Sequence, residues 1–549
     1  MKKLLPLLFL VFIFSACSDK STNKTFINAN GYTFTGDSLT TFTTMIVEDR
    51  KIREIGGDEL AEMADGQTID LGGKTVLPGL IDAHGHVMNL GFQELQVNLA
   101  GIETLEATLD TLKNYAEANP DLEWIQGRGW NQTLWLENEF PTAADIDKVI
   151  SDRPVWLSRV DGHAGWANTE AMELAGISQD TPDTRGGKII RDESGKATGV
   201  FVDAAGRYIN EIVPAPTPLE NEMALEKALE QMSRMGLTSA HDAGINENEW
   251  NLYKDFADQE RISTRIYAMI DGAGDTFDKL SKDGPVKSYA DDRLALRSVK
   301  ISADGALGSR GAAMIAPYSD DSGNHGLLFF EQDELNEMVY KTASNGFQTN
   351  IHAIGDKANR VVLNAFEYVK DELGDQDLRH RVEHAQIVSL DDIPRFKELD
   401  IIASMQPTHA TSDKNMAEDR VGPDRIKGGY AWQSYFDQGT VLASGSDFPV
   451  EHSNPFFGLY SAVTRMDHEG NPEGGWYPEH RLSRETALKT FTLNAAYAAH
   501  QEDVLGSLEE GKWADFIVID QDYLEIPSSD IWRINVLETW VAGEKVFGE

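Results

Sequence analysis

Leu77-Pro78-Gly79-Leu80-Ile81-Asp82-Ala83-His84-Gly85-His86 is an apolar run that ends in two histidines one residue apart. In a buried strand, side chains two apart point the same way, so the end of this run would present both imidazoles to one point in space. Imidazoles bind borderline metals such as zinc well, and a glycine between them lets the backbone come close to an ion. The doublet also fits a strand end capped by hydrogen-bonded histidines. Matching ligands at other strand ends would decide for the metal.

Downstream, apolar strand candidates recur at 155–160, 238–241, 265–269, 296–301, 349–352, 380–384, 402–405 and 441–447, with helical periodicity at 221–235 and 359–372. Alternation of strand and helix over this length, with polar residues at strand ends, predicts an α/β fold. The expected body is a (β/α)₈ TIM barrel over residues 76–509 with its site at the C-terminal rim. Counting the opening run, nine candidates compete for eight places, so 155–160 or 265–269 lies outside the barrel or is misread. Short alternating segments, such as Thr43-Thr44-Met45-Ile46-Val47 and Asp515-Phe516-Ile517-Val518-Ile519, fill both ends of the chain. Neither end can bury a face alone, so residues 25–75 and 510–549 are expected to pack together as one small β-sandwich.

Composition narrows the partners. The 549 residues suit one large domain and a smaller one. With 90 acidic against 49 basic residues the formal net charge is -41, a surface that repels a phosphate backbone, so nucleic acid is not an expected partner. Lys2 and Lys3 precede an apolar run at 4–14 that is too short for an ordinary transmembrane helix. The run ends in Phe14-Ser15-Ala16-Cys17, which resembles a bacterial lipobox, and Cys17 is the sole cysteine. Residues 1–17 are therefore expected to be a lipoprotein signal peptide ending in a lipidated Cys17, and 18–24 a polar tether. That places the protein in the bacterial cell envelope, anchored to a membrane, with its catalytic domain periplasmic or extracellular.

His352 and His384 end successive strand candidates, and Asp447 closes the last. Between them Lys300 sits in an apolar setting, Ser298-Val299-Lys300-Ile301, where an ammonium must be paired, neutralised or modified. Four histidines, a carboxylate and a buried lysine at strand ends form a far more specific signal than the doublet.

These segments resemble the amidohydrolase superfamily, in the subgroup related to N-substituted formamide deformylases and imidazolone-type or aryl-amide hydrolases. The resemblance spans essentially the whole mature chain. It is carried by the 78–86 signature, Asp304-Gly305-Ala306-Leu307-Gly308-Ser309-Arg310, Ile351-His352-Ala353-Ile354-Gly355-Asp356, Val382-Glu383-His384-Ala385-Gln386 and Gly445-Ser446-Asp447-Phe448-Pro449. It implies that His84, His86, His352, His384 and Asp447 are metal ligands. Lys300 matches the lysine that is carboxylated and bridges two ions in binuclear members. One or two divalent ions, Zn²⁺ first, are thus the expected cofactor. The implied activity is hydrolysis of a carbon–nitrogen bond other than a peptide bond, in a small amide, N-substituted formamide or cyclic amide. A bound zinc lowers the pKa of water and polarises the carbonyl. Asp447 would then take the water's proton and pass it to the leaving amine.

Other polar residues have less definite places. Arg159, Asp161 and His163 resemble a family segment near the active site, where His163 would polarise the substrate carbonyl or hold the leaving group. His241 and Asp242 end a strand candidate and either orient ligands or are satisfied core residues. Asp304 and Arg310 read as a loop-locking ion pair, and His409 as a loop residue facing the pocket. Aromatics in or beside 124–135, 410–430 and 451–478, among them Trp130, Trp135, Trp432 and Trp476, suit the walls for an apolar substrate, although isolated tryptophans are more often simply packing residues. A homodimer is left open. So are two competing functions: hydrolysis of an ester or lactone, and a non-catalytic envelope binding lipoprotein.

Overall fold

The computed structural model describes residues 23–548 except 64–65, 100, 137–138, 160–163 and 185–186. Eight parallel strands form the barrel: β1 (Leu80–Gly85), β2 (Leu237–Ile245), β3 (Arg265–Asp271), β4 (Leu294–Ser302), β5 (Gln348–Ala353), β6 (Arg381–His384), β7 (Ile402–Met405) and β8 (Leu442–Ser444). They are paired in chain order, each strand beside the next, as in a (β/α)₈ barrel. Helices cover the outside. The helix Pro218–Arg234 begins with Pro218 at its first position and a capping box in which Thr217 and Glu220 satisfy each other's backbone N–H. Its Ala224, Leu225, Ala228, Leu229 and Met232 form the stripe buried on the barrel.

The ninth strand candidate lies outside the barrel. Val155–Arg159 pairs parallel with Ile125–Trp130 and antiparallel with Ala164–Ala167, in a six-stranded sheet inserted between β1 and β2. An antiparallel partner has no place in an all-parallel barrel, and this sheet buries a core of its own around Trp130, Leu157 and Trp166. The alternative, 265–269, is the barrel strand β3.

Both chain ends meet in a β-sandwich. One sheet runs Lys51–Gly56, Thr44–Glu48, Lys24–Ile27, Gln67–Asp70; the other runs Glu544–Phe547, Val536–Val541, Phe516–Ile519, Thr75–Pro78, Asn30–Thr35, Ser38–Phe42. Phe26, Met45, Val76, Phe516 and Trp540 fill the space between them. Thr75–Pro78 pairs with Phe516–Ile519 immediately before β1 begins, so the sandwich feeds directly into the ligand-bearing strand.

A buried ion pair fastens sandwich to barrel. Arg265 of β3 donates to both carboxylate oxygens of Asp515, at 2.7 and 3.1 Å, and both side chains are almost wholly buried. Removing only one partner leaves a buried, unpaired charge. Arg265→Ala is expected to lower unfolding stability by about 3–5 kcal/mol. Arg265→Met combined with Asp515→Leu should recover most of that loss. Denaturant titration of the three chains checks both expectations.

Candidate metal centre

The barrel closes where β1 meets the segment after β8. The Asp447 N–H donates to the His84 carbonyl at 2.7 Å, and the His86 N–H to the Phe448 carbonyl at 2.8 Å. Beneath this seam the buried Asp82 carboxylate accepts from His84 N–H (3.0 Å), Ser446 N–H (3.0 Å) and Ser446 Oγ–H (2.6 Å). Gly85 is needed here for a reason other than approach to an ion. A Cβ on it would lie 2.4 Å from the Phe448 ring, and one on Gly445 would lie 2.4 Å from Asp82 Oδ1.

The seam brings the ligand candidates together. His84, His86 and Asp447 offer ligand atoms within 4.8 Å of one another, and His384, His409 and Asp447 do the same. The two clusters share Asp447, as one mononuclear or one binuclear divalent centre would require. His86 Nε2 lies 3.2 Å from Asp447 Oδ1, and His409 Nε2 3.9 Å from Asp447 Oδ2. The His352 ring stands 4.6 Å from that of His384, centroid to centroid, and Lys300 Nζ is 3.2 Å from His84 Nε2. His384 and Asp447 both have left-handed backbones, with φ of 72° and 62°. Such conformations are costly for residues with a Cβ and persist where surrounding contacts impose them.

The donor set fits a metal. His352 Nε2 and His409 Nε2 are buried and have no hydrogen-bond partner among the described residues. Buried polar atoms normally have one. Burial, with the Lys300 charge adding to it, pushes His84 down to about 4 and His352 to about 3, so both rings are neutral near pH 7 with a lone pair to donate. His384 is pushed the same way, chiefly by burial. Burial opposes the charge of Asp447, yet the facing imidazoles of His86, His84, His384 and His409 outweigh it and hold the carboxyl below the usual range. Gln406 Oε1 faces His384 Nδ1 at 2.7 Å, which leaves His384 Nε2 free of hydrogen.

A family model described as Amidohydrolase family matches residues 67–547. The chain belongs to the amidohydrolase family. Among proteins similar to this amidohydrolase, Protein LONG AFTER FAR-RED 3 of Arabidopsis thaliana is 34% identical, over 94% of this chain and 91% of its own. N-substituted formamide deformylase of Arthrobacter pascens is 28% identical, over 88% and 90% respectively. An uncharacterized metal-dependent hydrolase from Pyrococcus horikoshii OT3 superposes with a TM-score of 0.78 at 28% identity, over 92% of this chain and 99% of that one.

Several expectations need correction. His409 is on a helix, Pro407–Asp413, and has clear mates in His384 and Asp447. Asp304 and Arg310 do not pair with each other. Asp304 accepts from the backbone N–H groups of Ala313, Ile354 and Gly355, whereas Arg310 pairs with Asp320. His241 is inside β2 rather than at its end, with Nδ1 3.0 Å from Arg381 Nη1, and Asp242 holds Val87 N–H and Tyr253 O–H. Of the two readings of the tryptophans, packing holds for Trp130, Trp135 and Trp432, which are buried. Trp476 is half-buried against Tyr430. Arg159 hydrogen-bonds Gln132 and Asn131 in the inserted sheet. Cys17, Asp161 and His163 lie outside the described residues.

Sequence reasoning missed Glu383, which meets His84, and Gln406, which meets His384. The signal for Glu383 was present: Arg381 and Glu383, two apart in a barrel strand, put opposite charges on one buried face.

Because both clusters use Asp447, Asp447→Ala should strip divalent metal from the whole centre. His86→Ala should lower occupancy mainly in the cluster to which it belongs. Metal content of the purified variants by elemental analysis checks this; full occupancy in Asp447→Ala would contradict the shared-ligand geometry.

Proposed function

We propose that this chain is a metal-dependent hydrolase that cleaves a non-peptide carbon–nitrogen bond in a small amide-type substrate, with N-substituted formamides the first class to test. The observation that carries the proposal is the pair of His/Asp clusters sharing one carboxylate at the closing seam of the barrel. The deformylase relative supports the formamide class. A divalent ion held by these residues, zinc first, would supply Lewis acidity at the attacked carbonyl and make water acidic enough to react near neutral pH.

The protein's own groups supply the rest. His84, His86, His352, His384 and His409 are the proposed donors, together with Asp447. Lys300 is a buried amine beside His84, with its pKa lowered by burial, which supports its carboxylation and a second ion. Asp447 accepts the proton of the attacking water and returns it to the leaving nitrogen, since an unprotonated amide nitrogen leaves poorly. His163 remains the proposed partner of the substrate carbonyl. Cys17 remains the proposed lipid anchor; the mature protein is expected in the detergent phase of a host extract, and wholly aqueous partitioning with unmodified Cys17 would exclude it.

A screen across formamides, other amides, ureides and esters on the metal-loaded protein identifies the substrate class. Turnover of esters alone would replace the amide proposal. On the best substrate, Asp447→Asn is expected to retain much of its metal yet lose about 10²–10⁴-fold in turnover. Near-parental turnover in a fully metallated Asp447→Asn chain would move the base role elsewhere. Lys300→Met should reduce the ion count from two toward one; one ion in both parent and variant would establish a mononuclear site.

A further inference from the structure

Arg381 and Glu383 are fully buried, two residues apart on β6, and carry charges that no step above uses. Glu383 Oε2 is 2.5 Å from His84 Nδ1. Arg381 Nε lies 2.7 Å from Glu383 Oε1, and Nη2 donates to Glu383 Oε2 at 3.1 Å. The same guanidinium donates to the Ala83 carbonyl at 2.5 Å and to Ser404 Oγ at 2.8 Å, and it stands 3.0 Å from His241 Nδ1. One arginine thus ties together β1, β2, β6 and β7 directly beneath the metal cluster. Apolar residues of the same volume would often stabilise a core as well or better, so stability alone gives little reason for an ion pair at this place.

We infer that Glu383 is a positioning residue of the metal centre: its carboxylate, aimed by Arg381, keeps the hydrogen of His84 on Nδ1 and turns the Nε2 lone pair toward the cluster. The chemistry permits one arrangement of this contact. An ionised carboxylate only accepts hydrogen bonds, so the facing Nδ1 must donate. Lys300 Nζ stands on the opposite side of the ring, 3.2 Å from Nε2, so Nε2 is the ring nitrogen that faces the cluster. Without Glu383 the neutral imidazole is free to place its hydrogen on Nε2, where it would block ligation. His384 is oriented by a neutral amide, Gln406, whereas His84 is oriented by an anion. The anion makes His84 the more basic donor of the two, because a carboxylate partner raises the basicity of a ligating imidazole.

This inference rests on the metal-dependent reading above, and its test reads metal affinity rather than turnover. Zn²⁺ alone is competed against a chromophoric chelator on the full chain, for the parent, Glu383→Gln, Glu383→Leu and the double variant Arg381→Leu/Glu383→Leu. Thermal midpoints of the metal-free chains are recorded alongside. Glutamine retains an acceptor oxygen and leucine has none, so affinity is expected to fall about 10-fold and about 100-fold respectively, the range for loss of such a partner. The double variant has no unpaired buried charge and should regain the thermal midpoint lost by Glu383→Leu without regaining Zn²⁺ affinity. Recovery of affinity together with the midpoint would reduce Glu383 to a structural role and overturn the inference. Parental affinity in Glu383→Leu would do the same. Should Glu383→Leu fail to fold, Glu383→Gln and the double variant give the answer: parental affinity in either overturns the inference. A parent chain that binds no Zn²⁺ overturns the metal reading, and this inference with it.

Discussion

The closing contact between β1 and the segment after β8 is the constraint on which the site depends. Eight parallel strands close only if first and last approach within hydrogen-bond distance, and here the approach is made by the residues that flank the ligands. Asp447 N–H meets the His84 carbonyl, His86 N–H meets the Phe448 carbonyl, and the Asp82 carboxylate binds both sides from below. Closing the barrel and assembling the ligand cluster are therefore one event. Side chains at 85 and 445 larger than hydrogen would hold the seam open, which gives both glycines a steric reason.

Electrostatics then suits the seam to a cation. Burial keeps the imidazoles of His84, His352 and His384 neutral, as ligation requires. Burial opposes the charge of the Asp447 carboxyl, but the His86 ring 3.2 Å from Oδ1 helps hold it below the usual carboxylate range. The left-handed backbones at His384 and Asp447 belong to the same logic: both residues carry ligand atoms of one cluster, and such conformations persist where surrounding contacts impose them. Around this centre the sandwich and the inserted sheet have separate cores, and the sandwich is bound to the barrel through Arg265 and Asp515.

Much of the fold was legible because its signals are local. Apolar runs ending in His84-Gly85-His86, His352, His384 and Asp447 mark strand ends, since a strand buried on both sides must be apolar until it reaches the rim. The two sheet-forming ends revealed the sandwich by the same rule of face burial. The 155–160 segment, one of the two candidates expected outside the barrel, is as apolar as the barrel strands, and its antiparallel partner at Ala164–Ala167 is what places Val155–Arg159 in another sheet. The tryptophans left two readings open for a related reason: an aromatic ring suits a core and a pocket wall alike, and burial shows Trp130, Trp135 and Trp432 as packing.

The sequence by itself determined which residue types stand at strand ends, and so the chemistry available to them, because strand periodicity and apolar content are properties of neighbouring residues. Tertiary structure alone decided which of those residues meet. His409 joined the centre because Pro407–Asp413 starts a helix at the rim, and Asp304 parted from Arg310 because three backbone N–H groups claimed its carboxylate first. Glu383 reached His84 across 299 positions of chain. Such contacts are set by barrel closure and the register of eight strands, which no local window of sequence contains.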